Sequence, residues 1–86
     1  MKKTAIVTGS RRGIGLAIAK KLMSNGFTVI LCDVVEKTEV EELLKELNQN
    51  GEADYIRCDI SKDADRKNLI DTVVEKYGRL DVLVNN

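Results

Sequence analysis

The 86-residue sequence predicts an α/β fold: the N-terminal half of a doubly wound parallel sheet, βαβαβαβ with strand order 3-2-1-4. Two observations carry this. Apolar runs of strand type alternate with apolar stripes at helical spacing, and the strands are almost wholly apolar, as in a parallel sheet covered on both faces. Right-handed crossovers then put the first two helices on one face and the third on the other.

Each element follows from its residues. Thr4 to Thr8 is the first strand, and Ile14 to Asn25 the first helix, with Ile14, Ala17, Ile18, Lys21 and Leu22 recurring on one side. Phe27 to Cys32 is rich in β-branched and apolar residues and forms the second strand. Val40, Leu43, Leu44 and Leu47 mark the second helix. Ala53 to Cys58 is the third strand, and Leu69, Ile70, Val73, Val74 and Tyr77 are the buried face of the third helix. Leu80 to Val84 is the fourth strand. Gly26, Gly51 and Gly78 each follow a helical stretch, where a left-handed cap favours a residue without Cβ.

Composition narrows the function classes. A chain of this length holds one domain or less. Hydrophobic residues make up 43% and charged residues 33%, an ordinary globular balance. Basic and acidic side chains number 14 each, so net charge points to neither nucleic acid nor an anionic membrane as partner. The apolar run from Ala5 to Val7 is too short for a signal peptide, and nothing approaches the ~20 residues of a membrane span. A cytoplasmic location is therefore expected. Cys32 and Cys58 lack the spacing of a zinc site, and the chain has no His, so both read as buried thiols on adjacent strands and no metal is expected.

The remaining glycines lie together in Thr8-Gly9-Ser10-Arg11-Arg12-Gly13-Ile14-Gly15, between the first strand and the first helix. In that context Gly9 takes the turn out of the strand, Gly13 lets backbone approach a pyrophosphate, and Gly15 allows close helix packing. The helix N-terminus offers free N–H groups to the phosphates. The bland alternative is a tight turn that needs glycine, but the position after a strand and before a helix favours binding. Asp33 ends the second strand close to the ~20-residue offset of an acid that bonds the adenosine ribose hydroxyls. It reads equally as a solvated strand-end or capping aspartate. Asp59 closes the third strand beside it, with a helix-cap role shared with Ser61 as its alternative.

These residues resemble the short-chain dehydrogenase/reductase family over the whole chain. The Thr-Gly-x-x-x-Gly-x-Gly spacing at Thr8 to Gly15 is the family's, as is Asp59-Ile60, which in the family meets the adenine. Leu80-Asp81-Val82-Leu83-Val84-Asn85-Asn86 is similar to its fourth strand running into Asn-Asn, where the second Asn, here Asn86, lies near the cofactor ribose. The resemblance implies that residues 1–86 are the N-terminal, truncated part of a single Rossmann domain. It also implies a hydride-transfer oxidoreductase acting on an alcohol or carbonyl, homo-oligomeric when complete. The implied cofactor-binding residues are Gly9, Ser10, Arg11, Arg12, Gly13, Ile14, Gly15, Asp33, Asp59, Ile60 and Asn86.

The cofactor expected is NAD, with NADP possible. An Asp33 carboxylate would repel a 2′-phosphate, whereas a basic residue before the middle glycine, here Arg12, accompanies NADP in the family. The family's catalytic Ser and Tyr-x-x-x-Lys are not matched: Tyr55 and Tyr77 are followed four positions later by Asp59 and Asp81. Both tyrosines read as packing residues. The alternatives to an enzyme segment are a non-catalytic NAD(P)-binding half-domain or sensor, and, more remotely, a methyltransferase-type sheet binding S-adenosylmethionine.

Overall fold

A computed structural model describes residues 2–86. The chain runs β1 (Thr4–Thr8), α1 (Gly13–Ser24), β2 (Thr28–Asp33), a 3-10 turn (Lys37–Val40), α2 (Glu41–Leu47), β3 (Glu52–Arg57), α3 (Asp63–Tyr77) and β4 (Val82–Val84). The four strands form one parallel sheet in the order β3-β2-β1-β4, the order the sequence predicts.

Alternation along the central strands builds a core on each face. Val7, Val29 and Leu31 point to one side and pack with Ala19 of α1, Leu47 of α2 and Tyr55. Ile6, Ile30 and Cys32 point to the other and pack with Cys58 and with Leu69 and Val73 of α3. The first two helices thus share a face and the third stands opposite, as right-handed crossovers require. Val29, Ile30 and Leu31 are fully buried, each contributing about 1.5–3 kcal/mol of apolar burial. With both faces of β2 covered, Val29 to Cys32 are apolar at every position, so the strand reads as a continuous apolar run.

Several boundaries and faces differ from the sequence reading. The third strand ends at Arg57, so Asp59 does not close it. Asp59 lies in the loop before α3, where its Oδ1 accepts the Ser61 N–H at 3.0 Å and the Ser61 hydroxyl at 2.6 Å. That local turn bonds side chain to backbone in place of the sheet ladder. The fourth strand begins at Val82 because the Asp81 carboxylate itself accepts the Thr4 N–H at 2.8 Å, taking the place of a strand carbonyl.

On α1 the buried positions are Gly15 and Ala19, not the stripe through Ile14 and Ala17; Ile14 is 74% exposed at the first turn. Small residues face the sheet here because the helix approaches it closely. On α3, Leu69 and Val73 are buried but Val74 is 45% exposed, one position round the helix from the packed row. Gly26 and Gly78 have positive φ, whereas Gly51 does not. A Cβ at Gly51 would meet only the flexible end of Met23, its Cε at 2.8 Å, so neither φ nor packing demands glycine there.

Candidate functional site

The carboxyl ends of β1 and β2 are brought side by side by their register, Thr8 opposite Cys32, so the glycine loop leaves the sheet next to Asp33. Ser10 locks the two together. Its fully buried hydroxyl donates to the Val7 carbonyl at 2.6 Å and accepts the Cys32 N–H at 3.0 Å, while its own N–H donates to the Cys32 carbonyl at 3.2 Å. The Ser10 side chain is thus spent on holding the loop, leaving backbone to face outward.

Glycine shapes the rest of the loop. Gly9 and Gly13 have φ of 60° and 64°, conformations that cost an L side chain about 1–2 kcal/mol. Nothing lies within 4 Å of where a Gly13 Cβ would stand, so open space fronts the backbone there. Arg12 is the extended N-cap of α1, with no side-chain bond capping the helix. The first intrahelical bond runs from the Leu16 N–H to the Arg12 carbonyl, so the N–H groups of Gly13, Ile14 and Gly15 have no helical acceptor. The first turn of α1 carries no acidic residue, whereas α2 begins with Glu41 and Glu42 and α3 with Asp63 and Asp65. Its positive dipole end is therefore not offset by a side chain of its own first turn.

Asn86 closes the loop from the β4 side. Its N–H donates to the Thr8 hydroxyl at 3.1 Å and its Nδ2 donates to the Gly9 carbonyl at 3.1 Å. The Thr8 hydroxyl in turn donates to the Val84 carbonyl at 3.3 Å. Asn86 therefore acts first as a strut under the turn, a bond that sequence spacing could not show across 77 residues.

Asp33 ends β2 as expected. One carboxylate oxygen accepts the Val34 N–H at 2.8 Å and the other faces the Arg11 Nε at 3.8 Å. Arg12 is exposed and forms no ion pair among the described residues. Asp59 and Ile60 follow β3 at the same sheet edge, where the Cys58 N–H donates to the Asp33 carbonyl at 2.9 Å. Bonds from the Ser61 hydroxyl and N–H hold the Asp59 carboxyl below its ordinary pKa, and Ile60 stands 44% exposed. The expected site residues thus gather along one sheet edge, with Ser10 turned inward and Asp59 displaced off the strand.

The Tyr55 hydroxyl donates to the Val35 carbonyl at 2.5 Å, and the Tyr77 hydroxyl to the Asp54 Oδ2 at 2.9 Å. Burial first, and the nearby Asp33 second, push the Tyr55 phenol up to about 12. Burial and the Asp54 carboxylate do the same to Tyr77. Both are packing residues. The described residues contain no cluster of His, Cys, Asp and Glu fit for a metal ion, and no helix long and apolar enough to cross a membrane.

Sequence reasoning missed the Arg11–Asp33 pair and the Asp54 carboxylate, which joins Lys37 of the 3-10 turn to Lys76 and Tyr77 of α3. Neither has a signal in sequence spacing, because the partners meet only after the sheet forms.

Comparison with known proteins agrees with this geometry. Residues 3–86 match the model of the short chain dehydrogenase family. The chain is 44% identical over 84 residues to tropinone reductase-like 1 of Erythroxylum coca, covering 98% of this chain and 30% of that protein. It is 40% identical over 87 residues to the (S)-acetoin-forming diacetyl reductase of Staphylococcus epidermidis, covering 100% of this chain and 34% of that one. Among solved structures, an actinorhodin polyketide ketoreductase with NADPH superposes with a TM-score of 0.87 at 41% identity, over 99% of this chain and 33% of its own. The chain spans about a third of the length of the relatives it matches. With the family model covering all but its first two residues and the sheet order that of a doubly wound fold, this chain belongs to the short-chain dehydrogenase family.

Proposed function

We propose that this chain is the dinucleotide-binding part of a nicotinamide-dependent oxidoreductase that interconverts an alcohol and a carbonyl compound. The observation that carries this reading is the N-terminus of α1: uncapped, free of acidic residues, and fronted by open space at Gly13. In the reading, the Gly13, Ile14 and Gly15 N–H groups take the pyrophosphate, and Asp33 accepts from the adenosine ribose hydroxyls. Asp59 and Ile60 border the adenine, and Asn86 holds the loop from below. A bound nicotinamide would supply the hydride or accept it.

Asp33 favours NAD over NADP, because its carboxylate accepts from a 2′-hydroxyl and repels a 2′-phosphate. Neither tyrosine hydroxyl is free to move a proton, so this part of the molecule binds and orients the cofactor. The acid that acts on the substrate, and the pocket that selects it, belong to the rest of such an enzyme. The reading places the protein in the cytoplasm, which suits two buried cysteines that form no disulfide. It also makes the complete enzyme an oligomer of like chains.

The test is direct binding. Calorimetric titration with NADH is expected to show one site, and Gly13→Asp, which sets a carboxylate before the helix N-terminus, to weaken it by about tenfold or more. S-adenosylmethionine is expected not to compete. Absence of NADH binding to the folded chain, or displacement of NADH by S-adenosylmethionine, would overturn the reading.

A further inference from the structure

We propose that the outer edge of β3 is closed to strand addition by a second copy of this chain. The side chains of Asn48 and Asp54 take the backbone positions that an added strand would use, and two lysines cover them.

β3 is an outer strand of the sheet, paired on one side only, with β2. Along a strand the N–H and C=O of one residue point to the same side, and the side alternates from residue to residue. The Cys58 N–H donates inward to the Asp33 carbonyl at 2.9 Å, so Asp54 and Ile56 also face β2, while Ala53 and Tyr55 turn their backbone groups outward. Left unpaired, such a row is a template for another chain.

The row is not left unpaired. Asn48, at the C-terminus of α2, accepts the Ala53 N–H on its Oδ1 at 2.9 Å and donates from its Nδ2 to the Ala53 carbonyl at 3.0 Å. One side-chain amide thus makes the donor and acceptor contacts that a neighbouring backbone would make. The same Nδ2 donates to the Leu44 carbonyl at 2.8 Å, which ties the amide to the last turn of α2. The next outward N–H, that of Tyr55, donates to the Asp54 Oδ1 at 2.8 Å.

Charge completes the closure. Lys37 precedes α2 on one face of the sheet and Lys76 lies on α3 on the other, yet their Nζ atoms stand 3.3 and 2.6 Å from the Asp54 carboxylate. Because β2 occupies the inner side of Asp54, the bridge between the two faces passes round the outer side of β3. It leaves the Asp54 side chain only 14% exposed, while the lysines remain 59% and 58% exposed. A strand docking here would have to displace the Asn48 amide and bury two ammonium groups, which is costly. The strand at the opposite side of the sheet, Val82–Val84, is aliphatic throughout.

The test opens the edge in a chain whose β4 contact is already weakened by Leu83→Lys. Adding Asn48→Ala and Asp54→Ala is expected to make that chain associate more strongly with concentration in sedimentation than Leu83→Lys alone. Gly13→Ala on the Leu83→Lys chain costs stability away from β3 and should not do so. Amide hydrogen exchange reads the closure directly: the Ala53 N–H should exchange about tenfold slower than an open-chain amide. Asn48→Ala should abolish that protection and leave the Asp54 and Ile56 amides as they were. Three results would overturn the closure: no added association in the opened chain, equal association in the Gly13→Ala control, or open-chain exchange at Ala53 in the unsubstituted protein. Far-UV circular dichroism checks that each variant folds. Should the triple variant unfold, Asn48→Ala on the Leu83→Lys chain decides by the same two measurements.

Discussion

Gly15 packs so tightly against Gly9 that a β-carbon on Gly15 would stand 2.3 Å from the Gly9 carbonyl oxygen and 2.8 Å from the Asn86 Nδ2. The backbone atom cannot yield without moving the strand end to which it belongs. Gly15→Ala is therefore expected to destabilise the fold by about 3 kcal/mol or more, at the upper end of overpacking costs. Gly13→Ala meets no neighbour and carries only left-handed strain of about 1–2 kcal/mol. Urea unfolding midpoints of the two variants check the order; equal midpoints would refute it.

Acid should loosen the β3 edge through Asp54. Burial works against its ionisation, but bonds from Lys76, from the Tyr55 N–H and from the Tyr77 hydroxyl outweigh it and hold the carboxyl down to about 2, against an ordinary 3.8. The folded value lies below the unfolded one, so the unfolded chain binds the proton more tightly. The contribution is complete above 3.8 and disappears as pH falls toward about 2. Because Lys37 and Lys76 are more than half exposed, solvent screening cuts it to about 1–2 kcal/mol. Asp54→Asn should lose that amount at neutral pH and show a flatter acid limb in unfolding measured across this window.

The two cysteines should be slow to react in the folded protein. Cys32 and Cys58 are buried on the α3 side of the sheet, with the Cys32 Sγ 3.9 Å from the Cys58 carbonyl. Burial, and then the neighbouring Cys58, push the Cys32 thiol up to about 12, and burial raises Cys58 as well. Neither is thiolate at neutral pH, and neither is reachable by a bulky reagent. Labelling by such a reagent should need unfolding; rapid modification of the native chain would contradict this placement.

The chain is expected to associate through β4, with Leu83 at the contact. Leu83 is 45% exposed on β4, an outer strand of this sheet, and with Ile60, Leu69 and Ile70 it lines a groove of about 540 Å³. The strand Val82–Val84 carries none of the charges or prolines that keep edges from pairing with other chains. Sedimentation of the 86-residue chain should show concentration-dependent association, reduced in Leu83→Lys. A monomer at all concentrations would show that the edge is protected.

Much of the fold was legible because the signals are local and repeated. The apolar runs at Thr4–Thr8 and around Val29–Leu31 could be nothing but buried strands once helical stripes separated them. The glycine loop was legible for the same reason: its residues are contiguous, and their spacing encodes a turn followed by a helix. Less was legible at the ends of elements. Asp59 and Asp81 both look like strand residues, yet each ends or delays its strand by offering a carboxylate to a backbone N–H. A side chain that substitutes for a ladder carbonyl leaves no trace in hydrophobic periodicity.

The sequence by itself determined the element order, the parallel sheet, the glycine turn into α1 and an aspartate at the end of β2, since each depends on residues close together in the chain. The tertiary structure decided which face of α1 is buried, that Ser10 turns inward to clasp Cys32, and that Asn86 braces Gly9. It also decided that Arg11 faces Asp33 and that Asp54 gathers three partners. Most of these contacts join residues more than ten positions apart, whose meeting is fixed by strand register and crossover handedness. The Ser10 hydroxyl is committed inward for that reason: only after β1 and β2 pair does the Cys32 N–H lie within its reach.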